Sequence, residues 1–159
     1  MVTAMLRHAA LAGAVGSILC APSFADSPCS GVALSEVRSL TLLAPTLRQV
    51  LPKNTDGLDG IADRGADFNS GDALVANLPR QRFGIAAVSA TCAIIAVEHG
   101  GIAFHTTMTE YHFTLAGWRP VAHSMTFASP NSMQDLLRRY AAAPQCPQTA
   151  AGTGRTCID

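Results

Sequence analysis

Three polar residues, Glu110, His112 and His123, have the types and the spacing that acid–base chemistry needs. If Gly100-Gly101 and Ala116-Gly117 are two-residue hairpin turns, the strands around them pair so that His123 faces Glu110. Side chains alternate between the two faces of a strand, so the three residues then share one face. A carboxylate beside two imidazoles can transfer protons or bind a transition metal. These are the candidate catalytic residues if the protein is an enzyme.

The same pairing predicts an apolar surface next to these three residues. It places Met108 opposite both Ala93 and Met125, and apolar side chains then follow one another across the face. The predicted lining of a ligand pocket consists of Phe104, Met108, Val121 and Met125.

A simpler interpretation of the polar residues is that Glu110 and His123 form an ordinary cross-strand pair at a solvated end of the sheet, and it is the preferred one. The apolar pattern also changes phase near Thr109. A bulge at that point, or a slip of one residue, would move the side chains to the other face.

Four stretches rich in β-branched and aromatic residues must position these side chains. They are residues 83–88, 92–97, 102–115 and 118–127. Residues 32–51 have apolar side chains at helical spacing, with a kink or break expected at Pro45. A last helix is predicted to begin at Ser129-Pro130 and to bury one face, which carries Met133, Leu136, Leu137, Tyr140 and Ala141. The predicted fold is α+β, a curved antiparallel sheet of about four strands with helices packed on one face.

The segment Ala116-Gly117-Trp118-Arg119-Pro120-Val121-Ala122-His123-Ser124 resembles the closing strands of small NTF2-like (SnoaL-like) domains. In that family a Gly-x-Trp-x-Val turn leads into a strand that ends in His and Ser. The resemblance implies a curved antiparallel sheet wrapped by helices around a pocket, with His123 as the one transferable site position. It also implies a function among isomerases, cyclases, dehydratases and non-catalytic binding modules.

Residues 1–25 have the features of an export signal, namely Arg7, an apolar stretch and the small residues Ser23 and Ala25 before a cleavage site. The apolar stretch is too short to span a membrane, so no membrane insertion is expected after cleavage. Lipidation at Cys20 is the alternative, but Leu19 is not the small residue expected before a lipidated cysteine. The protein is therefore predicted to be periplasmic or secreted, with one α+β domain over residues 26–143 and a cysteine-containing tail over residues 144–159.

Four cysteines remain after cleavage, and an oxidising compartment favours their pairing. They are Cys29, Cys92, Cys146 and Cys157. Sequence cannot choose among the three pairings, although Cys146 and Cys157 suit a local closure that would leave Cys29 to pair with Cys92. Zinc binding is the alternative, disfavoured because no Cys-x-x-Cys pair is present.

The composition and the absence of known motifs exclude several classes of function but do not identify one. Lys+Arg and Asp+Glu number 11 each and charged residues make up only 14% of the chain, which excludes a basic nucleic-acid surface. No phosphate-binding, dinucleotide or zinc-protease motif is present, so no cofactor is expected. The leading hypothesis is a non-catalytic exported protein that binds a small ligand or a protein partner. The alternatives are a lyase or isomerase that uses Glu110 and His123, assisted by His112, and a metal-binding protein.

The metal hypothesis has a second candidate site in the aspartate-rich residues 53–72. Residues 67–72 supply several oxygen ligands of the kind that calcium prefers. The order of Gly71 and Asp72 does not fit a calcium loop, and no Glu stands at the closing position, which is Leu78. A solvated, turn-rich loop is the preferred interpretation.

Overall fold

The structure, a computed structural model, describes Cys29 and residues 31–51 and 60–147. The predicted signal peptide and Cys157 lie outside these residues, as does most of the predicted tail. The strands are β1 (Ser35–Val37), β2 (Ile61–Ala62), β3 (Gln81–Val88), β4 (Cys92–His99), β5 (His105–Thr114), β6 (Gly117–Thr126) and β7 (Cys146–Pro147). The helices are a 3-10 turn (Leu40–Leu42), α1 (Pro45–Arg48) and α2 (Met133–Ala142).

The strands form one sheet in the order β1-β3-β4-β5-β6-β7, in which all neighbours are antiparallel, and β2 pairs parallel with β3. The four long strands β3 to β6 lie where the sequence predicts strands, so the antiparallel meander is confirmed. The predicted total of about four strands is too low, because β1, β2 and β7 are pairings of two or three residues that carry no alternating pattern of their own.

The helix predicted over residues 32–51 is wrong for most of its length. Ser35–Val37 instead pairs with the edge of β3 as β1. Ser39 caps the 3-10 turn, and its hydroxyl also donates to Asp63 at 2.5 Å. Pro45 begins α1 rather than kinking a longer helix, because its fixed φ and missing N–H suit the first helical position. The apolar spacing is realised only by Leu47 and its neighbours, which are buried against the sheet.

The two faces of the sheet are covered by different segments. The α1 face carries Phe83, Ala86, Ala93, Ile95, Val97 and Tyr111 and packs against Leu43, Leu47 and Leu51. The α2 face carries Ile85, Ala87, Cys92, Ile94, Ala96 and Met108 and packs against Leu136 and Tyr140. The prediction that helices pack on one face is therefore not met, since α1 and α2 lie on opposite faces.

The predicted register between β4 and β5 is wrong by three residues. Met108 pairs with Ala96 and not with Ala93. The reason is that five residues, 100–104, connect the two strands, whereas the prediction assumed a turn of two residues, Gly100-Gly101. The Gly100 amide donates to Arg80 across the sheet, and a Cβ at Gly100 would overlap the carbonyl oxygen of Asn69. This glycine therefore permits a close approach of two backbones rather than a tight turn.

The register between β5 and β6 is wrong by one residue along most of the pair. Thr114 pairs with Gly117, so Leu115-Ala116 forms the turn and Gly117, at φ +93°, follows it. The pairing shifts between Glu110 and Tyr111, which confirms the bulge weighed near Thr109. An odd shift reverses the face that each side chain occupies, so both errors change which polar residues meet.

Helix α2 agrees closely with its prediction. Ser132 is its N-cap, and the Ser132 hydroxyl accepts from the Asp135 amide at 3.2 Å. Leu136 and Tyr140, one turn apart, point into the core of the α2 face. The Met133 amide donates to Glu36 at 2.6 Å, which ties the start of the helix to β1. These contacts fix the position of the Tyr140 hydroxyl relative to β5.

Candidate functional site

Glu110 lies in the middle of β5 on the α2 face, with 1% of its surface exposed. Its two carboxylate oxygens have different partners. Oε1 is 2.8 Å from Nε2 of His112, two residues along the same strand, and Oε2 accepts from the Tyr140 hydroxyl at 2.7 Å. A buried carboxylate is tolerated when it is hydrogen-bonded in this way. The prediction placed Glu110 and His112 on one face, and the structure does the same.

Two sulfur atoms lie beside this pair. Cys92 pairs directly with His112 across β4 and β5, and it is disulfide-bonded to Cys29 with a Cα–Cα distance of 5.7 Å. One donor atom from each of Cys29, Cys92, Glu110 and His112 lies within 4.8 Å of all the others. We call these four residues the Cys–Glu–His cluster.

Of the three pairings that the sequence leaves open, the structure contains the bond between Cys29 and Cys92. Cys146 is also disulfide-bonded, and Cys157, its predicted partner, lies outside the described residues. The Cys29–Cys92 bond joins the segment before β1 to the start of β4, at the centre of the sheet. It therefore anchors one side of the cluster as well as the N-terminal part of the described chain.

His123 does not join Glu110. It pairs with Thr109 on β5 and with Cys146 on β7, and it points to the α1 face, whereas Glu110 points to the α2 face. The structure thus brings together two of the three candidate catalytic residues. The one-residue shift in the pairing of β5 and β6 is the physical reason that the third is separated from them.

The four predicted pocket residues do not share a surface. Met108 is fully buried on the α2 face, while Met125 is half-exposed on the α1 face and pairs with Thr107. Phe104 lies in the loop before β5, where its ring contacts that of Phe68. Val121 is the bulged residue of β6, between the paired positions Pro120 and Ala122. The structure therefore assembles no pocket from this set.

The helical spacing of α2 predicts only that Tyr140 lies in the core. Burial, and then the hydrogen bond to the Glu110 carboxylate and its charge, raise the pKa of the Tyr140 hydroxyl. Loss of its proton would leave two negative oxygens in contact inside the protein. Tyr140 is therefore held as a proton donor to Glu110, and helical spacing could reveal its burial but not this partner.

The chemistry open to the cluster in its oxidised form is limited. General-base catalysis needs a carboxylate oxygen within reach of a substrate proton. Both oxygens of Glu110 are already hydrogen-bonded inside the core. His112 is the most accessible member, with 21% of its side chain exposed. The arrangement is suited to stabilising the core and, if the disulfide opens, to holding a metal ion.

The aspartate-rich segment has a structural use in the part that the structure describes. Asn69 is buried; its Oδ1 accepts from the Val75 amide, and its Nδ2 donates to the carbonyls of Val75 and Leu78. Asp63 accepts from Ser39 and from the Leu40 amide; these bonds outweigh burial and hold the pKa of its carboxyl below its ordinary value. Both side chains close loops, which agrees with the preferred interpretation of a turn-rich segment.

A stacked pair of histidines lies at the other end of β4, on the α1 face. The rings of His99 and His105 are parallel at 4.7 Å, and Nδ1 of His99 is 3.2 Å from the Gln81 amide nitrogen. Burial, and then the neighbouring His105, lower the pKa of His99 to about 4. The folded protein thus binds a proton at His99 less readily than the unfolded chain does.

This depressed pKa predicts acid sensitivity. Because the unfolded chain protonates His99 near pH 6.5 and the folded protein near pH 4, the stabilisation is complete above pH 6.5 and is lost as the pH falls to about 4. Between pH 7 and pH 4.5 the free energy of unfolding of the wild type should fall. We expect this fall to be smaller by about 2 kcal/mol in His99→Gln, after allowance for the partial exposure of the ring. Urea unfolding at pH 7 and pH 4.5 measures it. A wild-type pH dependence that persists in His99→Gln would contradict the assignment.

None of the helices among the described residues is long and apolar enough to span a bilayer. Comparison of the chain with family models, curated proteins and solved structures finds no match in any of the three.

Proposed function

We propose that this chain is an exported, non-catalytic protein that binds a protein partner through the α1 face of β5 and β6. The observation that carries the proposal is the exposure of large apolar side chains along this surface. Phe113 on β5 is 50% exposed, Met125 on β6 is 44% exposed, and Phe127, just after β6, is 73% exposed. Large apolar side chains that stay exposed on a folded protein are typical of interaction sites.

The pairing of the strands supports a shared surface. Met125 pairs with Thr107, which itself pairs with Val97 of the α1 face. Phe113 lies two residues beyond Tyr111, so it is on the face whose core contains the Tyr111 side chain. The ring of Phe113 packs edge-on against Trp118. Phe113 and Met125 therefore lie toward the two ends of this face, with the buried Tyr111 and the polar Thr109 and His123 between them.

A protein partner fits this surface better than a small apolar ligand does. A small-molecule site encloses most of its ligand and so also shields the side chains that line it. Met125 is 44% exposed and Phe127 is 73% exposed. Side chains of this kind are covered effectively by a second large surface, which buries an apolar centre inside a polar rim.

Two other features support the remaining parts of the proposal. The Cys29–Cys92 disulfide agrees with an oxidising compartment outside the cytoplasm. The enzyme alternative depends on Glu110 beside His123, and these residues lie on opposite faces, with Glu110 enclosed by His112 and Tyr140. The resemblance to NTF2-like domains supports a binding role as readily as catalysis, because that family includes binding modules.

Site-specific photo-crosslinking tests the proposal. A photoreactive phenylalanine analogue in place of Met125 is expected to give a discrete protein adduct in cells that export the chain. The matched control places it at Leu74, which is 52% exposed but lies in the loop before β3. In the same cells Phe127→Asp should weaken the Met125 adduct at least about tenfold, because a charge is then buried in the interface. Adducts of equal yield from both positions, or none from Met125, would refute the proposal.

A further inference from the structure

We propose that the Cys–Glu–His cluster is a redox-gated zinc site, closed while Cys29 and Cys92 form a disulfide and able to bind one Zn²⁺ when they are thiolates. The four donors are two sulfurs, one imidazole nitrogen and one carboxylate oxygen. Zinc binds sulfur, nitrogen and oxygen ligands of these kinds with four-coordinate, tetrahedral geometry. The proposal concerns the α2 face and does not depend on a partner at the α1 face.

Three of the four ligands are placed by the sheet itself. Cys92 and His112 are paired neighbours on β4 and β5. Glu110 lies two residues before His112 on β5, so its side chain is on the same face. Cys29 comes from the segment before β1 and completes the group from the side. A rigid sheet that presents three ligands reduces the ordering that metal binding must impose.

The distances suit an ion of this size. Zinc–ligand bonds of about 2.0 to 2.3 Å place the donors of a tetrahedral site about 3.3 to 3.8 Å from one another. The donor atoms of the cluster already lie within 4.8 Å of one another. Nε2 of His112 and Oε1 of Glu110, now 2.8 Å apart, would separate by about 0.5 Å as zinc replaces their hydrogen bond.

The surroundings of the ligands also favour a site. Tyr140 donates to the Glu110 oxygen that does not face His112, and such an outer hydrogen bond orients a ligating carboxylate. Cys29, Cys92 and Glu110 are buried, so their negative charges would need compensation that a divalent cation supplies. The partly exposed ring of His112 provides the approach from solvent.

The gating step is thiol–disulfide exchange with a dithiol reductant. The reductant forms its own disulfide and gives two electrons and two protons to Cys29 and Cys92, whose S–S bond breaks to two thiols. Binding of Zn²⁺ then releases these two protons, because only thiolates ligate the metal. In the reverse exchange the two thiolates give two electrons to the disulfide form of that reductant, which takes up two protons and leaves as a dithiol. The S–S bond of Cys29 and Cys92 re-forms, the ion is released, and the hydrogen bond between His112 and Glu110 is restored.

Metal titration of the exported, purified chain tests the proposal. After anaerobic reduction with a water-soluble phosphine, which becomes a phosphine oxide, the protein should bind one equivalent of Co²⁺ with thiolate charge-transfer and tetrahedral d–d absorption. Zn²⁺ should displace the Co²⁺. The oxidised protein should bind neither ion at this site. Absence of the Co²⁺ spectrum from the reduced protein would overturn the proposal.

Variants separate this site from other thiol binding. Glu110→Gln and His112→Gln should each weaken Zn²⁺ binding at least about 100-fold, more than the loss of an outer hydrogen bond does. His123→Gln, and Cys146→Ser combined with Cys157→Ser, should bind as wild type does. Wild-type affinity in the Glu110 and His112 variants overturns the proposal. If reduction unfolds the chain, one equivalent of Zn²⁺ should restore its near-ultraviolet circular dichroism, and failure to do so also overturns it.

Discussion

Replacing both Cys29 and Cys92 with alanine should lower the free energy of unfolding by about 4 kcal/mol. The bond joins residues 63 apart in sequence, so its loss frees a long loop in the unfolded chain. Its ends also connect the segment before β1 to the start of β4, in the core of the α2 face. Urea unfolding followed by the fluorescence of Trp118, the one tryptophan in the chain, measures the change.

A comparison under reducing conditions separates the cross-link from the packing of the sulfur atoms. When both proteins are reduced in the absence of metal, so that the disulfide of Cys146 is open in each, their free energies of unfolding should agree to within about 1 kcal/mol, because both chains then lack the Cys29–Cys92 bond. A difference of several kcal/mol that persists in reductant would assign the effect to packing instead. Equal stability of the two oxidised proteins would contradict the prediction outright.

The long strands were predictable because their signal is local. Alternating and β-branched residues define β3 to β6 within each segment, and the spacing of Leu136 and Tyr140 defines α2 in the same way. The segment at residues 32–51 was mispredicted because the structure it adopts depends on contacts with residues distant in the sequence. Val37 pairs with Ala86 of β3, and no periodicity within the segment contains that information.

The register was mispredicted for a related reason. A pair of glycines between strands is a strong hairpin signal. Gly100, however, is used for close contact with Asn69, 31 positions earlier, and the turn extends to Phe104. The sequence contains the glycine but not the loop that packs against it, so the three-residue shift could not be derived from local rules.

The candidate site was predictable where it depends on one strand and not where it depends on the register between strands. Glu110 and His112 share a face because they are two residues apart on one strand, which no register error can change. Cys92 meets His112, and His123 leaves Glu110, only because of the actual pairings. The even number of cysteines predicted disulfides but left their connectivity open, and the position of the Cys29–Cys92 bond beside the carboxylate required the three-dimensional register.

Glu110→Ala should lower the free energy of unfolding by about 3 kcal/mol at pH 7. The change leaves the buried Tyr140 hydroxyl and Nε2 of His112 without their acceptor and opens space in the core. Glu110→Gln keeps the shape and one carbonyl acceptor, so a loss of about 1 kcal/mol is expected. Urea unfolding of the two variants beside the wild type measures this difference, and equal losses would contradict a role for the carboxylate as acceptor.

The tyrosines report the same contact independently of stability. The chain has two, and burial raises the pKa of Tyr111 to about 12, while burial and the Glu110 carboxylate together raise that of Tyr140. Both folded pKa values lie above the ordinary value of 10, so the associated stability is complete below pH 10 and is lost as the pH rises through the folded values.

In Glu110→Ala a larger fraction of tyrosinate should form at pH 11, measured by ultraviolet absorbance, because Tyr140 no longer faces a negative charge. The Glu110→Gln variant should shift in the same direction, since it also removes the charge, whereas His112→Gln retains the carboxylate and should behave as the wild type does. A tyrosine titration unchanged by either substitution at Glu110 would show that the carboxylate does not control Tyr140.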